Sequence, residues 1–323
     1  MGVDLSVIIC TYNGANNIRE CIAHLLAQEG VDGLRWEIVV VDNNSTDATA
    51  DVVHGLMRDA SIPIRYVFEP RQGTTYARNK GITETNGPCL AFIDDDILVS
   101  EQWLAAIEVG MMEQDRDVVA GRIHLHTPSP LPAWIQPDMY GFLGYRDFGD
   151  APRELNGSSE FPFAGNMSFQ RRVVDRVGMF DTNLGKRGKG ENREAFFKGG
   201  ETDFFQRLAR AGATFCYRPD AIGYHKVLPF QINKKYFRKI HYSAGYQAAM
   251  RDDTYYRRTF FGVPSFIILH LFRNSVRYLA KLIRHGPDVA FRQQMTVGNF
   301  SGMIEGYIKK SRTNHRDANR TAS

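Results

Sequence analysis

Several common signatures are missing from this 323-residue sequence. Its four cysteines include no CxxC pair, which argues against a zinc site or a disulfide framework and indicates a reducing compartment. No stretch reaches the roughly 18 uncharged apolar residues of a membrane-spanning helix, and no secretory signal is recognisable. The net charge of +4 is mild, so we expect no nucleic-acid partner. What remains is an ordinary globular composition, sufficient for one large domain with an appendage.

The first part of the chain alternates between strand-like and helix-like segments. Strands that are almost continuous apolar runs, alternating with helices, are typical of a parallel sheet covered on both faces. We therefore predict an open, mostly parallel α/β sheet with helices on both faces. The predicted strands cover 5–10, 36–41, 64–69 and 90–93, and the predicted helices cover 18–26, 46–57 and about 74–85.

Polar clusters follow three of these predicted strands. They are TYNG at 11–14, DNNSTD at 42–47 and DDD at 94–96. Each has turn-forming residues, but ligands of open α/β sheets bind beyond the carboxyl ends of the strands, so together they predict a binding crevice. The first loop lacks GxGxxG and the chain lacks GxxxxGK[ST], which excludes a dinucleotide fingerprint and a P-loop.

The acidic triplet ends the apolar run LAFI at 90–93. Three adjacent carboxylates repel one another, and a divalent cation would offset that repulsion. Oxygen ligands favour magnesium or manganese over zinc. The alternative is a solvated acidic turn before a helix, with Asp96 or Ser100 as the N-cap.

The ordered set of motifs resembles family 2 glycosyltransferases with the GT-A fold, a Rossmann-like sheet. The resemblance covers roughly the first 225 residues and implies transfer of a sugar from a nucleoside diphosphate sugar with inversion. The motifs that carry it are TYN at 11–13, VDNNSTD at 41–47, RQGTTYARNKGI at 71–82, FIDDDIL at 92–98, FAGNMSF at 163–169, VGMFDTNLG at 177–185 and GGETDFFQRLARAG at 199–212.

The resemblance also implies individual roles on the donor side. Asp42 matches the acid that holds the nucleotide base, and Thr11 and Tyr12 line the same pocket. Asp94 faces the ribose, and Asp96 ligates a Mn²⁺ or Mg²⁺ ion on the diphosphate. The remaining donor-binding residues predicted in this way are Asn13, Arg78, Asp95 and Asn166.

Glu201 and His225 complete the predicted site. Glu201 matches the catalytic base, in a motif usually written ED that here reads Gly200-Glu201. Sugar transfer needs such a carboxylate near the acceptor hydroxyl, although acids in a first helical turn are also favoured by the helix dipole, and Asp203 is the next candidate. His225 matches a third metal ligand of some relatives, or is a structural histidine beside a strand.

Two loops are candidates for the acceptor side. The segment 125–159 is rich in proline and aromatic residues, and we predict an acceptor lid there. Residues 188–200 form a basic second candidate loop just before Glu201.

The predicted domains are a GT-A catalytic domain at 1–228, a basic amphipathic helical region at 229–311 and a disordered tail at 312–323. Between Pro264 and His285, one helical stripe carries four cations, and an apolar arc lies beside it. This helix either packs on the catalytic domain or lies on an anionic membrane surface. The stripe is Arg273, Arg277, Lys281 and Arg284, and the arc is Ile268, Phe272, Val276, Leu279 and Ile283.

We therefore expect a metal-dependent, inverting sugar transferase that acts on a hydroxyl of a glycan or lipid-linked acceptor in bacterial surface polysaccharide synthesis. We expect it in the cytoplasm, at the inner face of the cell membrane if the amphipathic helix binds lipid. One alternative is a metal-dependent nucleotidyltransferase, which would release pyrophosphate and not need Glu201. The other is a non-catalytic scaffold that retains the nucleotide crevice.

Overall fold

The structure is a computed structural model that describes residues 2–185 and 199–321. Most of the predicted loop at 188–200 lies outside these residues. The chain divides into two compact units, the first comprising Met1–His126 and Leu143–Lys226 and the second comprising Thr127–Phe142 and Val227–Ser323. The boundary near Lys226 is close to the predicted one, but the assignment of Thr127–Phe142 to the second unit was not predicted.

The first unit is built on a sheet flanked by helices. Its strands are β1 (Leu5–Thr11), β2 (Trp36–Asp42), β3 (Ile64–Phe68), β4 (Cys89–Asp94), β5 (Ile97–Val99), β6 (Val118–His126), β7 (Arg153–Leu155), β8 (Asn166–Gln170) and β9 (Phe215–Lys226). Its helices are α1 (Ile18–Leu26), α2 (Thr49–Asp59), α3 (Thr74–Glu84), α4 (Trp103–Glu108), α5 (Arg172–Val177) and α6 (Gly200–Arg210).

Side chains alternate along the central strand β1 and so supply a core on each face of the sheet. Leu5, Val7 and Ile9 pack in one core with residues of α1 and α4, whereas Ile8 packs in the other with residues of α3 and α6. The predicted α/β sheet with helices on both faces is therefore confirmed.

The strand order places the polar loops at one edge. Within the described residues the order is β3-β2-β1-β4-β8-β6-β9-β5, with β7 paired to β9. Strands β1 to β4 are parallel, and β8 lies antiparallel between β4 and β6. Thr11 pairs with Asp42 and Cys10 pairs with Asp94, so the ends of β1, β2 and β4 meet.

The second unit is helical. It contains α7 (Lys234–Arg251), a hairpin of β10 (Thr259–Phe260) and β11 (Val263–Pro264), and α8 (Ser265–Thr321). Gly286, with φ 78° and ψ 178°, interrupts α8. The two halves of α8 contact each other, since Gln293 donates a hydrogen bond of 2.8 Å to Asn274 and His270 stacks on Phe300. Among the described residues no helix is both long and apolar enough to cross a bilayer.

Two expectations for this unit differ from the structure. Trp134, expected in an acceptor lid, packs edge-on against Phe237 and Phe291, at 5.3 and 5.0 Å between ring centroids. Its ring is therefore committed to the helical core. A disordered tail was predicted from residue 312, but the backbone of α8 continues to Thr321. No proline or glycine follows Gly306 to interrupt the helix.

Glycines allow α7 and α8 to approach closely. A Cβ on Gly302 would lie 2.0 Å from the carbonyl oxygen of Tyr242, and one on Gly245 would lie 1.9 Å from that of Asn299. By contrast, a Cβ on Gly298 would meet nothing within 4 Å.

We predict that Gly302→Ala destabilises the protein by about 1–3 kcal/mol, because the added methyl must push the α7 backbone away. Gly298→Ala is the matched control on the same helix, and it should gain up to about 1 kcal/mol from higher helix propensity. Urea unfolding followed by circular dichroism measures both. Equal losses for the two variants would contradict the close approach of α7 and α8.

Candidate active site

The first polar loop is held by hydrogen bonds to the second. The backbone N–H of Asn13 donates to the Ser45 hydroxyl, and the Asn13 side-chain oxygen accepts from the N–H of Thr46, both at 2.8 Å. Asn13 adopts a left-handed conformation with φ 53°, which asparagine tolerates better than most residues. Asn13 therefore sets the shape of the crevice by tying the two loops together, and Tyr12 lies half-buried beside it.

Asp42 lies at the end of β2 and is 2% exposed. One carboxylate oxygen accepts from the N–H of Ser45 at 2.8 Å, and the other accepts from the Tyr66 hydroxyl at 2.7 Å. Burial and the Asp42 carboxylate raise the pKa of Tyr66 above its usual range. Tyr66 was not predicted from the sequence. Each oxygen of Asp42 retains a lone pair for a ligand.

Each acid of the triplet has a different environment. The Asp95 carboxylate accepts a hydrogen bond from the Thr11 hydroxyl. Asp96 Oδ2 lies 3.4 Å from His225 Nε2 on β9. Asp96 Oδ1 is buried and accepts no hydrogen bond from a described residue. Asp96 and His225, far apart in sequence, therefore form a pair with unused ligand capacity.

The electrostatics of the triplet favour an added positive charge. Burial raises the pKa of Asp94 to about 6, an effect that Arg78 opposes and Asp96 reinforces. Burial lowers the pKa of His225, but the nearby Asp96 and Asp94 raise it by more, so the net shift is upward. A cation bound here would offset the repulsion between the Asp94 and Asp96 carboxylates.

The donor set fits a divalent cation held by few protein ligands. The free carboxylate oxygen of Asp96 suits Mn²⁺ or Mg²⁺, and the imidazole of His225 lies 3.4 Å from the other oxygen of that carboxylate. Across residues 2–185 and 199–321, no three His, Cys, Asp or Glu side chains form a metal-binding group. Such a site matches cations that are bound through one or two carboxylates plus substrate phosphates and water.

Glu201 lies in the first turn of α6, opposite Arg78. Its Oε2 is 3.6 Å from Nη1 of Arg78, whose side chain is 7% exposed. The guanidinium of Arg78 also lies 5.7 Å from the centroid of the Phe180 ring. A Cβ on Gly200 would lie 2.6 Å from the Thr75 methyl, so the residue before Glu201 has no room for a side chain.

Asp203, the second candidate base, is engaged elsewhere. Its carboxylate accepts a hydrogen bond of 2.8 Å from Arg207, which donates in turn to the carbonyl of Met179, also at 2.8 Å. This network anchors α6 to the loop after α5. Asp203 is thus held by a hydrogen bond to Arg207, whereas Glu201 has the longer, 3.6 Å contact with Arg78.

Asn166 has a structural role that differs from the predicted donor-binding role. Its amide nitrogen donates to the carbonyls of Arg122 and Ala221, at 3.0 and 2.9 Å, and its oxygen accepts from the Trp103 indole at 2.8 Å. The residue is 1% exposed. Asn166 thus connects β8 to β6, β9 and α4, and its donors are not available to a ligand.

Phe148 of the predicted lid and Phe163, which lies after it in the sequence, pack against Arg146. The Arg146 guanidinium lies 4.4 Å from the Phe148 ring centroid and 4.6 Å from that of Phe163. These rings are half-buried and packed against a cation. For the other residues of 125–159, the prediction of an acceptor lid stays untested.

Comparisons with known proteins agree with this geometry. The sequence model described as glycosyl transferase family 2 matches residues 6–178, just over half of the chain. Glycosyltransferase AglE of Haloferax volcanii is 27% identical over 235 residues, 72% of this chain and 71% of that protein. Succinoglycan biosynthesis protein ExoM of Rhizobium meliloti is 26% identical over 219 residues, 67% of this chain and 65% of that protein.

A solved structure shares the fold. The mannosyltransferase PcManGT from Pyrobaculum calidifontis, in complex with GDP-Man and Mn²⁺, superposes with a TM-score of 0.60 at 18% identity. The match covers 96% of this chain and 88% of that one. The sequence match and the shared fold lead to one assignment: this chain is a glycosyltransferase that belongs to glycosyl transferase family 2.

Proposed function

We propose that this glycosyltransferase moves a sugar from a nucleoside diphosphate sugar to an acceptor hydroxyl with inversion and with the help of Mn²⁺ or Mg²⁺. The observation that carries the proposal is the position of Glu201. Its carboxylate faces Arg78. Arg78 lowers the pKa of Asp94 at the end of β4, and Glu201 raises it. A base near the acceptor hydroxyl and a bound cation beside the diphosphate are the two groups that sugar transfer requires, and Asp96, two residues after Asp94, would hold that cation.

The donor would lie across the ends of β1, β2 and β4. Asp42, fixed by Ser45 and Tyr66, would accept hydrogen bonds from the nucleotide base. Asp94 would face the ribose, and Asp96 with His225 would hold the cation beside the diphosphate. PcManGT was solved with GDP-Man and Mn²⁺, which supports a donor and a cation of this kind.

The proposed reaction is a single displacement. The Glu201 carboxylate takes the proton of the acceptor hydroxyl while that oxygen bonds to the anomeric carbon, and the bond from this carbon to the diphosphate oxygen breaks. Attack opposite the leaving group inverts the configuration. Arg78 holds Glu201 in place from a buried position. A bound divalent cation would act as a Lewis acid that stabilises the negative charge of the departing diphosphate.

The acceptor and the cellular setting are also proposals. We infer a hydroxyl of a glycan or lipid-linked acceptor in bacterial surface polysaccharide synthesis, as the name of ExoM suggests for a relative. We infer a cytoplasmic location because Cys10, Cys21, Cys89 and Cys216 are free thiols, as a reducing compartment allows.

Asp96→Asn should weaken Mn²⁺-dependent binding of the nucleoside diphosphate by more than about 10-fold. Loss of a residue that only supports a metal ligand already costs about 10–100-fold. Calorimetric titration of UDP and GDP, with Mn²⁺ or with EDTA, measures this loss. Asp59→Asn, at an exposed acid at the end of α2, is the control and should bind normally. Unchanged Mn²⁺-dependent affinity in Asp96→Asn would remove Asp96 from the metal site.

Glu201→Gln should bind the donor normally but lower the transfer rate by about 100-fold or more, because the base acts on the acceptor. The rate is measured as nucleoside diphosphate released when an extract of bacterial envelope glycans and glycolipids is added to a panel of UDP- and GDP-sugars.

Asp203→Asn is the matched variant on the same helix. It should keep a rate near that of the wild type while lowering the melting temperature, because it weakens the contact with Arg207. An active Glu201→Gln together with an inactive Asp203→Asn would reverse the assignment of the base. Release of pyrophosphate in place of a nucleoside diphosphate would refute sugar transfer.

A further inference from the structure

One part of the second unit has an unusual charge composition. Residues 254–287 include no aspartate or glutamate but six lysines and arginines: Arg257, Arg258, Arg273, Arg277, Lys281 and Arg284. This segment, which we call the basic segment, covers the hairpin β10–β11 and the first half of α8. No ion pair joins these six cations to any residue in the described part of the chain.

Only a narrow stripe of this half-helix packs against the protein. Ile267 is 1% exposed and Asn274 is 8% exposed. Leu271, Tyr278 and Leu282, which follow at helical spacing, are half-buried. The contacts of Asn274 and His270 with the second half of α8 belong to this side.

A second, apolar stripe faces solvent. Phe272, Leu279 and Ile283 are 66%, 53% and 84% exposed, and they lie on a different side of the helix from Ile267 and Asn274. The other exposed members are Ile268, Leu269 and Val276. Single exposed apolar residues are common, but a continuous stripe of six marks an interaction surface. The apolar arc predicted from the sequence is therefore exposed.

The basic stripe lies directly beside this apolar stripe. Arg273, Arg277, Lys281 and Arg284 repeat at intervals of three and four residues and are all exposed. An apolar face bordered by cations is the pattern of helices that lie in the interface of a bilayer. The cations would contact lipid phosphates, and the apolar side chains would enter the acyl boundary.

The hairpin before α8 adds two more exposed aromatic rings. Phe260 and Phe261 are 63% and 77% exposed, with ring centroids 4.5 Å apart. Phe261 has φ 49°, a left-handed conformation that a bulky side chain rarely adopts. The turn therefore presents an aromatic ring to solvent at a conformational cost that a glycine or asparagine would avoid.

The charge of the basic segment indicates which partner covers the apolar stripe, a second copy of the chain or a lipid bilayer. A second copy of the chain could cover the apolar stripe, but it would bring two acid-free basic segments together, and like charges would repel. An anionic bilayer complements both stripes at once. We propose that the basic segment binds the surface of an anionic lipid bilayer. This proposal goes beyond sugar transfer, since binding requires neither donor nor cation.

The test is sedimentation of the full-length protein with vesicles, without nucleotide or metal. Wild type should bind vesicles of phosphatidylcholine with phosphatidylglycerol at low salt, at least 10-fold more tightly than vesicles of phosphatidylcholine alone, and should be released as salt screens the charges. Changing Arg273, Arg277, Lys281 and Arg284 together to Gln should reduce that binding at least 10-fold. The double variant Leu279→Gln, Ile283→Gln should also reduce it.

The matched control removes the same charge elsewhere. Arg58, Arg210, Lys235 and Arg238 are exposed and lie outside the basic segment, and changing all four to Gln should leave vesicle binding within about twofold. Unchanged circular dichroism and melting temperature establish that each variant folds. Equal losses in both quadruple variants would overturn the proposal, because net charge alone would then explain binding.

Two further outcomes would also overturn it. The first is a wild type that ignores anionic vesicles at low salt. The second is a wild type that is dimeric by light scattering and becomes monomeric in the Leu279→Gln, Ile283→Gln variant, which would identify a second copy as the occupant.

Discussion

Repulsion among carboxylates at the end of β4 is the constraint on which the site depends. Asp94, Asp95 and Asp96 are adjacent in sequence, and the fold separates them by giving each a different partner. Asp95 turns to Thr11 on β1, Asp96 turns to His225 on β9, and the charge of Asp94 is balanced in part by Arg78 on α3. The elements of the first unit are therefore tied together electrostatically at the point where the donor would bind.

The same charges also involve the first turn of α6. Glu201 is a further acid whose charge raises the pKa of Asp94, and the buried guanidinium of Arg78, 3.6 Å from Glu201, lowers it. Gly200 allows α6 to approach Thr75 closely. Asp203 accepts a hydrogen bond from Arg207, which faces the loop after α5. In the proposed reaction, the single buried Arg78 would therefore serve both the donor side and the acceptor side.

Much of the first unit could be predicted from the sequence, because its signals are local. The strands β1, β2 and β4 are continuous apolar runs, and the polar residues that end them sit at one edge in any parallel sheet. The beginning of α2 was placed three residues early, at 46 instead of Thr49, because Ser45, Thr46 and Asp47 serve the loops. Tyr66 and the structural role of Asn166 were not predictable, since both depend on which strands become neighbours. The assignment of Thr127–Phe142 to the second unit was not predictable for a similar reason, because the contacts of Trp134 with α7 and α8 are long-range.

The position of β9 in the sheet has a consequence for how the protein acquires its site. His225 lies at the far end of β9, the last strand of the first unit to be synthesised, whereas Asp96 lies after β4. The parallel pairing of β9 with β6, and its antiparallel pairing with β5, must form before these two side chains can meet. Such non-local pairing is slow and cooperative compared with helix formation. A nascent or truncated chain that ends before β9 would therefore carry the acidic triplet without its histidine, and the Asp96–His225 contact would form only once the sheet is complete.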